Sequence, residues 1–209
     1  MIKNLNDPQS KVYKVVNTTL ELLVLNFLFL LTYIPIVTIG SGALALARTT
    51  MKQVNNQLTH PVVTFSKELK HNFLKGFIIH VWLSLLCILL FTAIRLLPLL
   101  PTIQFYFIGI GCMIACIGFI VLIDGIFHYT ARYEDTIFNS FLVILKVAGL
   151  KWKDTLITVL SWSTAIFFIW IDFFWFRLFS FTLFIIGFAL VSYISTKRTI
   201  KKFKEYEEV

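Results

Sequence analysis

Long stretches without a charged residue constrain the fold of this chain more than any other feature. Acidic and basic residues are absent from residues 22–47, 103–123, 155–171 and 178–196, and residues 77–100 carry only His80 and Arg95. A helix that crosses the hydrocarbon core of a bilayer needs about 20 predominantly apolar residues. Charged residues make up only 14% of the chain, whereas globular proteins carry about 25%. These features indicate a membrane protein and exclude an ordinary soluble enzyme.

We predict an all-α fold, a polytopic transmembrane helix bundle that forms a single domain over residues 1–209. It has about five long helices, a short return helix and two amphipathic helices in the membrane interface. The long helices are expected at approximately residues 11–36, 74–97, 103–127, 155–176 and 179–204. The return helix is expected at residues 43–56, and the amphipathic helices at 61–73 and 134–149.

A break between Pro35 and Gly42 divides the first apolar stretch. Proline cannot continue a helix, and the glycines of Gly40-Ser41-Gly42 permit a sharp reversal of the chain. We therefore predict that the chain reverses at these glycines, within the membrane or at its outer boundary. The helix Ala43–Asn56 would then return the chain, and whether it enters the bilayer stays open.

The basic residues set the expected orientation. If both termini are cytoplasmic, Arg95 and Arg177 are the only two of the 19 Lys and Arg residues on the outer side. A five-span chain with its N-terminus outside would place three more cations there. Because Lys and Arg concentrate on the cytoplasmic side of membrane proteins, the first arrangement is favoured.

Ionisable side chains inside spans are costly and are therefore candidates for function. Those expected near the outer face are Arg95, Asp172 and Arg177, and those expected towards the inner leaflet are Glu21, His80, Asp124 and His128. We predict that Arg95 pairs with Asp172 and holds two spans together, with a substrate-binding role as the alternative. His80 is expected to hydrogen-bond between helices, because no chain of partners for a proton relay can be traced.

Motifs of catalysis are missing from the sequence. It contains no P-loop, no nucleophile elbow, no H-E-x-x-H and no paired carboxylates, and its three cysteines lack companions at metal-ligand spacing. We expect no catalytic residues, no metal ligands, no cofactor and no nucleic-acid partner, since the net charge of +8 comes from cations between apolar stretches. Aromatic residues between Trp170 and Phe179 could stack on a sugar, but an interfacial aromatic belt is the favoured explanation.

One set of motifs carries a family resemblance. The chain reads Leu25-Asn26-Phe27-Leu28, then Ile34-Pro35-Ile36-Val37-Thr38-Ile39-Gly40, and later Ala131-Arg132-Tyr133-Glu134-Asp135-Thr136. These motifs resemble the YesL-like family of bacterial membrane proteins, a domain of unknown function, over about residues 17–202. Ser41 and Asp135 depart from the Pro and Asn common there. The positions that match the family signature are Asn26, Pro35, Thr38, Gly40, Phe65, Phe73, Tyr133 and Glu134.

The resemblance implies a bacterial plasma membrane protein associated with carbohydrate uptake. Such proteins are typically encoded beside sugar ABC importers, and the family has no established catalytic residues. The expected function is a non-catalytic accessory subunit of an oligosaccharide ABC importer, with membrane lipid and ABC permease subunits as partners. The alternative is an independent small-solute transporter or a membrane sensor. Transporters usually show inverted repeats or several broken helices, and the single break at Pro35–Gly42 weakly favours the accessory subunit.

Overall fold

The computed structural model describes residues 11–133, 135–150, 156 and 187–200. The six α-helices with defined bounds are α1 Lys11–Leu31, α2 Ile39–Val54, α3 Pro61–His71, α4 Phe73–Leu96, α5 Thr102–Arg132 and α6 Ile137–Leu150, and two short 3-10 helices lie at Ile36–Thr38 and Leu97–Leu99. Residues 187–200 are also helical and are called α7. No strand occurs in this part of the chain, so the predicted all-α fold is confirmed.

Three segments are long and apolar enough to cross a membrane. They are Val12–Leu31, Phe73–Leu99 and Thr102–Arg132. This finding agrees with the predicted membrane class. The predicted spans at 155–176 and 179–204 lie outside the described residues, apart from Leu156 and residues 187–200, so the predicted number of spans stays a prediction.

Local sequence explains where several helices begin and end. Pro61 occupies the first turn of α3, where its missing N–H costs nothing. α2 has Lys52 in its last turn, where a cation favours the helix dipole, and is followed by Asn56 at φ 56°. α5 runs to Arg132, five residues beyond the predicted end, because the backbone becomes extended only at Tyr133.

The first reversal of the chain is not where the glycines predicted it. α1 ends at Leu31 and α2 begins at Ile39, so residues 32–38 make the reversal. Gly40 and Gly42 lie inside the first turn of α2, and neither has a positive φ. The predicted glycine turn, and the predicted helix bounds of 36 and 43, are therefore wrong.

The glycines serve close packing instead. A β carbon at Gly40 would lie 2.3 Å from the carbonyl oxygen of Gly76, and one at Gly42 would lie 2.1 Å from Oγ1 of Thr32. Neither distance leaves room for a side chain. Gly40 and Gly76 thus bring α2 and α4 into backbone contact, and Gly42 brings α2 against the end of α1.

α1, α2 and α3 form an antiparallel group. Gly42 of α2 lies at Thr32, just after α1, while Gln53 near the end of α2 donates to Glu21 Oε2 at 2.9 Å. α3 returns along α2, since Lys52 contacts Glu68. The apolar core between these helices and α7 consists of Leu22, Leu25, Phe29, Ala45, Leu46, Phe65 and Ala189.

α4 continues from α3 with only Asn72 between them. The N–H of Asn72 donates to Glu68 O at 3.0 Å, and the N–H of Gly76 donates to Asn72 O at 2.9 Å, so helical hydrogen bonds run through the junction. α4 then pairs with α5 and α6 around a second core, formed by Ile79, Leu83, Leu122, Ile126, Tyr129, Ile144 and Val147.

The contacts of the reversal favour one of the two predicted depths. The prediction placed Gly40–Gly42 within the membrane or at its outer boundary, and His80 of the next span towards the inner leaflet. A β carbon at Gly40 would lie 2.5 Å from Cβ of His80, and Ser41 Oγ donates to Phe73 O at 2.7 Å. Residues in direct contact share nearly the same depth. The two segments therefore cannot lie at opposite faces.

Candidate functional site: a polar seam beside α2

α2 is the most enclosed helix of the described chain. Its buried residues are Gly40, Ser41, Gly42, Leu44, Ala45, Leu46, Ala47, Thr49, Thr50 and Gln53. Small side chains allow other helices to approach it from several directions. Its polar side chains consequently meet polar groups from α1, α3 and α7 inside the bundle.

α7 presents a stripe of hydroxyl groups. Ser192, Ser195, Thr196 and Thr199 follow the spacing i, i+3, i+4, i+7, which places them on one helical face. All four are buried. A buried hydroxyl in an apolar bundle needs a hydrogen-bond partner, so this stripe fixes which face of α7 turns inwards. We call the side chains of Thr50, Asp124, His128, Ser192, Ser195 and Thr196 the polar seam.

Thr50 joins α2 to α7 in the seam. Its Oγ1 lies 3.2 Å from Ser192 Oγ and 3.1 Å from Thr196 Oγ1. The same hydroxyl donates within its own helix, with Leu46 O at 2.9 Å. Because a hydroxyl has one proton and two acceptor lone pairs, Thr50 can donate to its own helix and accept from α7.

His128 joins α5 to α7. Its Nδ1 lies 3.0 Å from the backbone oxygen of Asp124, and its Nε2 lies 3.2 Å from the backbone oxygen of Ser192. Ser192 Oγ lies 3.4 Å from the same Nε2. With its proton on Nδ1, the ring can donate to the Asp124 carbonyl and accept from the Ser192 hydroxyl at Nε2.

Asp124 completes the seam at the α5–α7 contact. Its Oδ1 accepts a hydrogen bond from Ser195 Oγ at 3.4 Å, and its side chain is half-buried. Further along the same helix pair, Arg132 donates to Ile200 O at 3.3 Å. The predicted candidate Asp124 thus lies among polar partners from another helix.

A second polar group lies between α2 and α3. We call Arg48, Lys52, Glu68 and Asn72 the Glu68 latch. Lys52 Nζ lies 2.6 Å from Glu68 Oε1, Arg48 lies 3.6 Å from Oε2, and Asn72 Nδ2 donates to Oε2 at 3.0 Å. One carboxylate therefore receives partners from α2 and from the start of α4.

The environment lowers the pKa of Glu68. Burial raises the pKa of this carboxyl group, but the hydrogen bond and charge of Lys52, the charge of Arg48 and the hydrogen bond from Asn72 together outweigh it. The carboxylate is thus held ionised at neutral pH. An ionised group with this many partners is suited to fixing α3 against α2.

The other predicted charges fall outside these two groups or outside the described residues. Glu21 accepts from Gln53 at 2.9 Å and from Asn17 at 2.8 Å, which links α1 to α2. Arg95 lies over the ring of Phe91, 5.1 Å from its centroid. His80 lies at the α2–α4 contact. Asp172 and Arg177 lie outside the described residues, so the Arg95–Asp172 pair stays a prediction.

Signature residues occupy contacts between helices. The Asn26 side chain accepts from the N–H of Ala189 at 3.0 Å, which fixes α7 on α1. Phe65 is buried in the core, and the carbonyl of Phe73 accepts from Ser41. The ring of Tyr133 lies 4.7 Å from that of Tyr129. Glu134 lies outside the described residues.

Several residues of the seam and latch were not predicted from the sequence. Arg48, Lys52, Glu68 and Asn72 were not identified as a site, although Arg48 and Lys52, and likewise Glu68 and Asn72, have an i, i+4 spacing that places each pair on one helical face. The hydroxyl stripe of α7 carried a similar signal. Within the described residues, no group of three or more His, Cys, Asp and Glu side chains is placed to hold a metal ion.

Residues 22–94 match the model of a family described as "Protein of unknown function, DUF624". The matched segment runs from the middle of α1 to the last turn of α4. It contains the Glu68 latch and the Gly40–Gly76 contact. The match fits the YesL-like resemblance at the level of a domain of unknown function. No curated protein and no solved structure matches the chain.

Proposed function

We propose that this protein is a non-catalytic accessory subunit of a carbohydrate ABC importer, held in the bacterial plasma membrane with both termini cytoplasmic. The observation that carries the proposal is the outward surface of α5, which offers both apolar and small residues to a neighbouring helix. The polar side chains of the seam contact one another, and so do those of the latch. This pattern is expected of groups that hold a bundle together.

Exposed apolar residues cover the α4–α5 hairpin. Leu89, Phe107 and Ile114 are each 66–75% exposed. Lipid can cover such a surface, and so can the apolar span of a partner protein, because both are equally apolar. The exposed surface of the α4–α5 hairpin therefore supports a location in the membrane more strongly than it supports a partner protein beside this hairpin.

Small residues on α5 favour a protein partner over lipid alone. Gly111 and Ala115 are exposed, and they lie one helical turn apart on the face that also carries Gly118. Nothing lies within 4 Å of the position that a β carbon would take at Gly111 or Gly118. Small residues at this spacing let a second helix approach closely, which is how membrane helices associate.

The carbohydrate importer is the part of the proposal that rests on the resemblance alone. The matched family is one of unknown function and adds no substrate. Sugar binding by this chain itself is the less favoured alternative, since its basis is the aromatic run between Trp170 and Phe179.

The proposal is tested by purification and by uptake. Tagged protein extracted from native membranes in a mild detergent should co-purify with the two permease subunits of a sugar importer. Deletion of the gene should reduce oligosaccharide uptake and permease abundance, and re-expression should restore both. Unchanged uptake together with a purification free of permease subunits contradicts the proposal.

A second candidate function is transport of a small solute by this chain. The polar seam favours it, because Asp124 and His128 are ionisable groups placed among hydroxyls inside an apolar bundle. Purified protein in liposomes should then take up solute alone, and His128→Gln should reduce the rate without reducing the amount of folded protein. Uptake that requires the permease subunits excludes this candidate.

A further inference from the structure

Two helical hairpins meet at one contact. The first consists of α1 and α2, and its closed end is the reversal at residues 32–38. The second consists of α4 and α5. Ser41 Oγ donates to Phe73 O at 2.7 Å, and Gly40 packs on Gly76. The closed end of the first hairpin thus lies beside the first turns of α4.

From this contact, α4 runs in the opposite direction to the α1–α2 hairpin. α1 and α2 run towards Glu21 and Gln53, whose side chains bond at 2.9 Å. Ser41 of α2 contacts Phe73 of α4, and Gly40 of α2 contacts His80, which is further along α4. α4 therefore extends past the beginning of α2. From His80 to Leu96, α4 extends about 24 Å further at 1.5 Å per residue.

This geometry limits how deep the first hairpin can reach. The hydrocarbon core of a bilayer is about 30 Å thick, and the length of α4 beyond His80 accounts for most of it. We propose that α1 and α2 form a re-entrant hairpin, whose closed end inserts into lipid on the side where α4 enters and does not reach the opposite face.

Apolar side chains at the closed end identify lipid as the occupant of this surface. Ile34 and Ile36 are 79% and 73% exposed, and Val37 is 50% exposed. Trp82 of α4 is also 53% exposed, and α4 belongs to a segment long and apolar enough to span a membrane.

The reversal, which ends in the 3-10 helix Ile36–Thr38, also satisfies much of its own backbone, as irregular chain near lipid must. The N–H groups of Thr32 and Tyr33 donate to Phe29 O and Leu30 O at 2.9 and 3.0 Å. The Thr38 side chain donates to Pro35 O at 2.8 Å and also contacts Thr32 O. Proline has no N–H to satisfy. This accounts for two signature residues, Pro35 and Thr38.

The basic residues agree with a hairpin that has both ends on one side. Lys11 and Lys14 lie at the open end of α1, and Lys52 lies at the open end of α2. A re-entrant hairpin leaves all three on the side where α4 begins. These three cations then satisfy the positive-inside rule, although neither α1 nor α2 crosses the bilayer.

Thiol labelling at three positions tests the proposal. Single cysteines replace Ile36, Leu99 or Gln57 in a variant whose three native cysteines are changed to serine, and an impermeant maleimide is applied. Leu99→Cys should label in intact cells, and Gln57→Cys should label only in inside-out vesicles. Ile36→Cys should resist labelling from both sides and react fully after detergent is added.

Two other patterns overturn the proposal. Labelling of Ile36→Cys in intact cells at the rate of Leu99→Cys means that the hairpin crosses the membrane. Labelling in inside-out vesicles at the rate of Gln57→Cys means that the tip lies in water. If the serine background does not fold, the same three cysteines are introduced into the native chain. A parent with all three native cysteines then provides the background signal.

Discussion

Lys52 and Glu68 form an ion pair that joins α2 to α3, with Nζ 2.6 Å from Oε1. The side chain of Glu68 is only 11% exposed, whereas that of Lys52 is 40% exposed. Lys52 can therefore be solvated without its partner, but Glu68 depends on the protein for its hydrogen bonds. Glu68 is the residue of the latch whose removal should matter most.

Glu68→Gln should lower the stability of the protein. The amide cannot pair with the charges of Lys52 and Arg48, and we expect a loss of about 1–3 kcal/mol, the usual range for leaving buried polar groups poorly paired. The measurement is the thermal unfolding midpoint in detergent. Lys67→Gln on the exposed side of α3 is the control and should change it little. An equal loss in both variants would contradict a specific role for Glu68.

The latch should make stability depend on acid pH. Because the pKa of Glu68 is lower in the folded protein than in the unfolded chain, its contribution is present above the unfolded pKa and is lost as the pH falls through the folded value. Lowering the pH from about 5 to about 3 should bring the unfolding midpoint of the wild type towards that of Glu68→Gln. A constant difference between the two proteins over this range would argue against the pairing.

Thr50→Val should weaken the attachment of α7. The substitution keeps the shape of the side chain but removes the hydroxyl between Ser192 and Thr196, and hydrogen bonds between membrane helices contribute about 0.6 kcal/mol on average. Thr92→Val is a matched control, since this exposed hydroxyl donates within α4 to Leu89 O at 2.9 Å. Thr50→Val combined with Thr196→Val should cost less than the sum of the single losses in denaturant titrations.

Gly40→Ala should disrupt the contact between α2 and α4. The added carbon would meet the carbonyl oxygen of Gly76 at 2.3 Å, and backbone cannot move aside as a flexible side chain can. We expect a loss of about 1–3 kcal/mol, as in other overpacked sites. Gly109→Ala serves as the control because nothing lies within 4 Å of its β-carbon position. Its stability should be unchanged or increased, since alanine favours helix.

The sequence predicted the helices better than their contacts. Uncharged stretches identified α4 and α5 because lipid-facing helices are apolar along their whole length. The predicted position of the reversal was wrong because glycine occurs both in tight turns and in closely packed helices. Only the neighbouring residues Gly76 and Thr32 show that Gly40 and Gly42 serve close packing here. Proline at position 35 was the more reliable sign that α1 had ended.

The polar contacts could be predicted only in part. Asp124 was identified because a carboxylate in an apolar stretch is costly wherever it lies. Thr50 and Ser192 were missed because single hydroxyls are common in membrane helices, and 142 positions separate these two. Glu68 resembled a solvated charge in a basic helix, since its spacing from Lys52 is not helical and the pairing depends on how α3 folds back.

Co-purification of permease subunits with a variant at Gly111 tests the proposed accessory role most directly. Gly111→Leu places a large side chain on the small-residue face of α5, while Gly109→Leu places the same side chain about half a turn away around the helix. Neither position has atoms within 4 Å of its β carbon, so both variants should fold. The account predicts that Gly111→Leu loses the permease subunits and that Gly109→Leu retains them. Retention of the permease by both variants, or its absence from the wild-type purification, would contradict it.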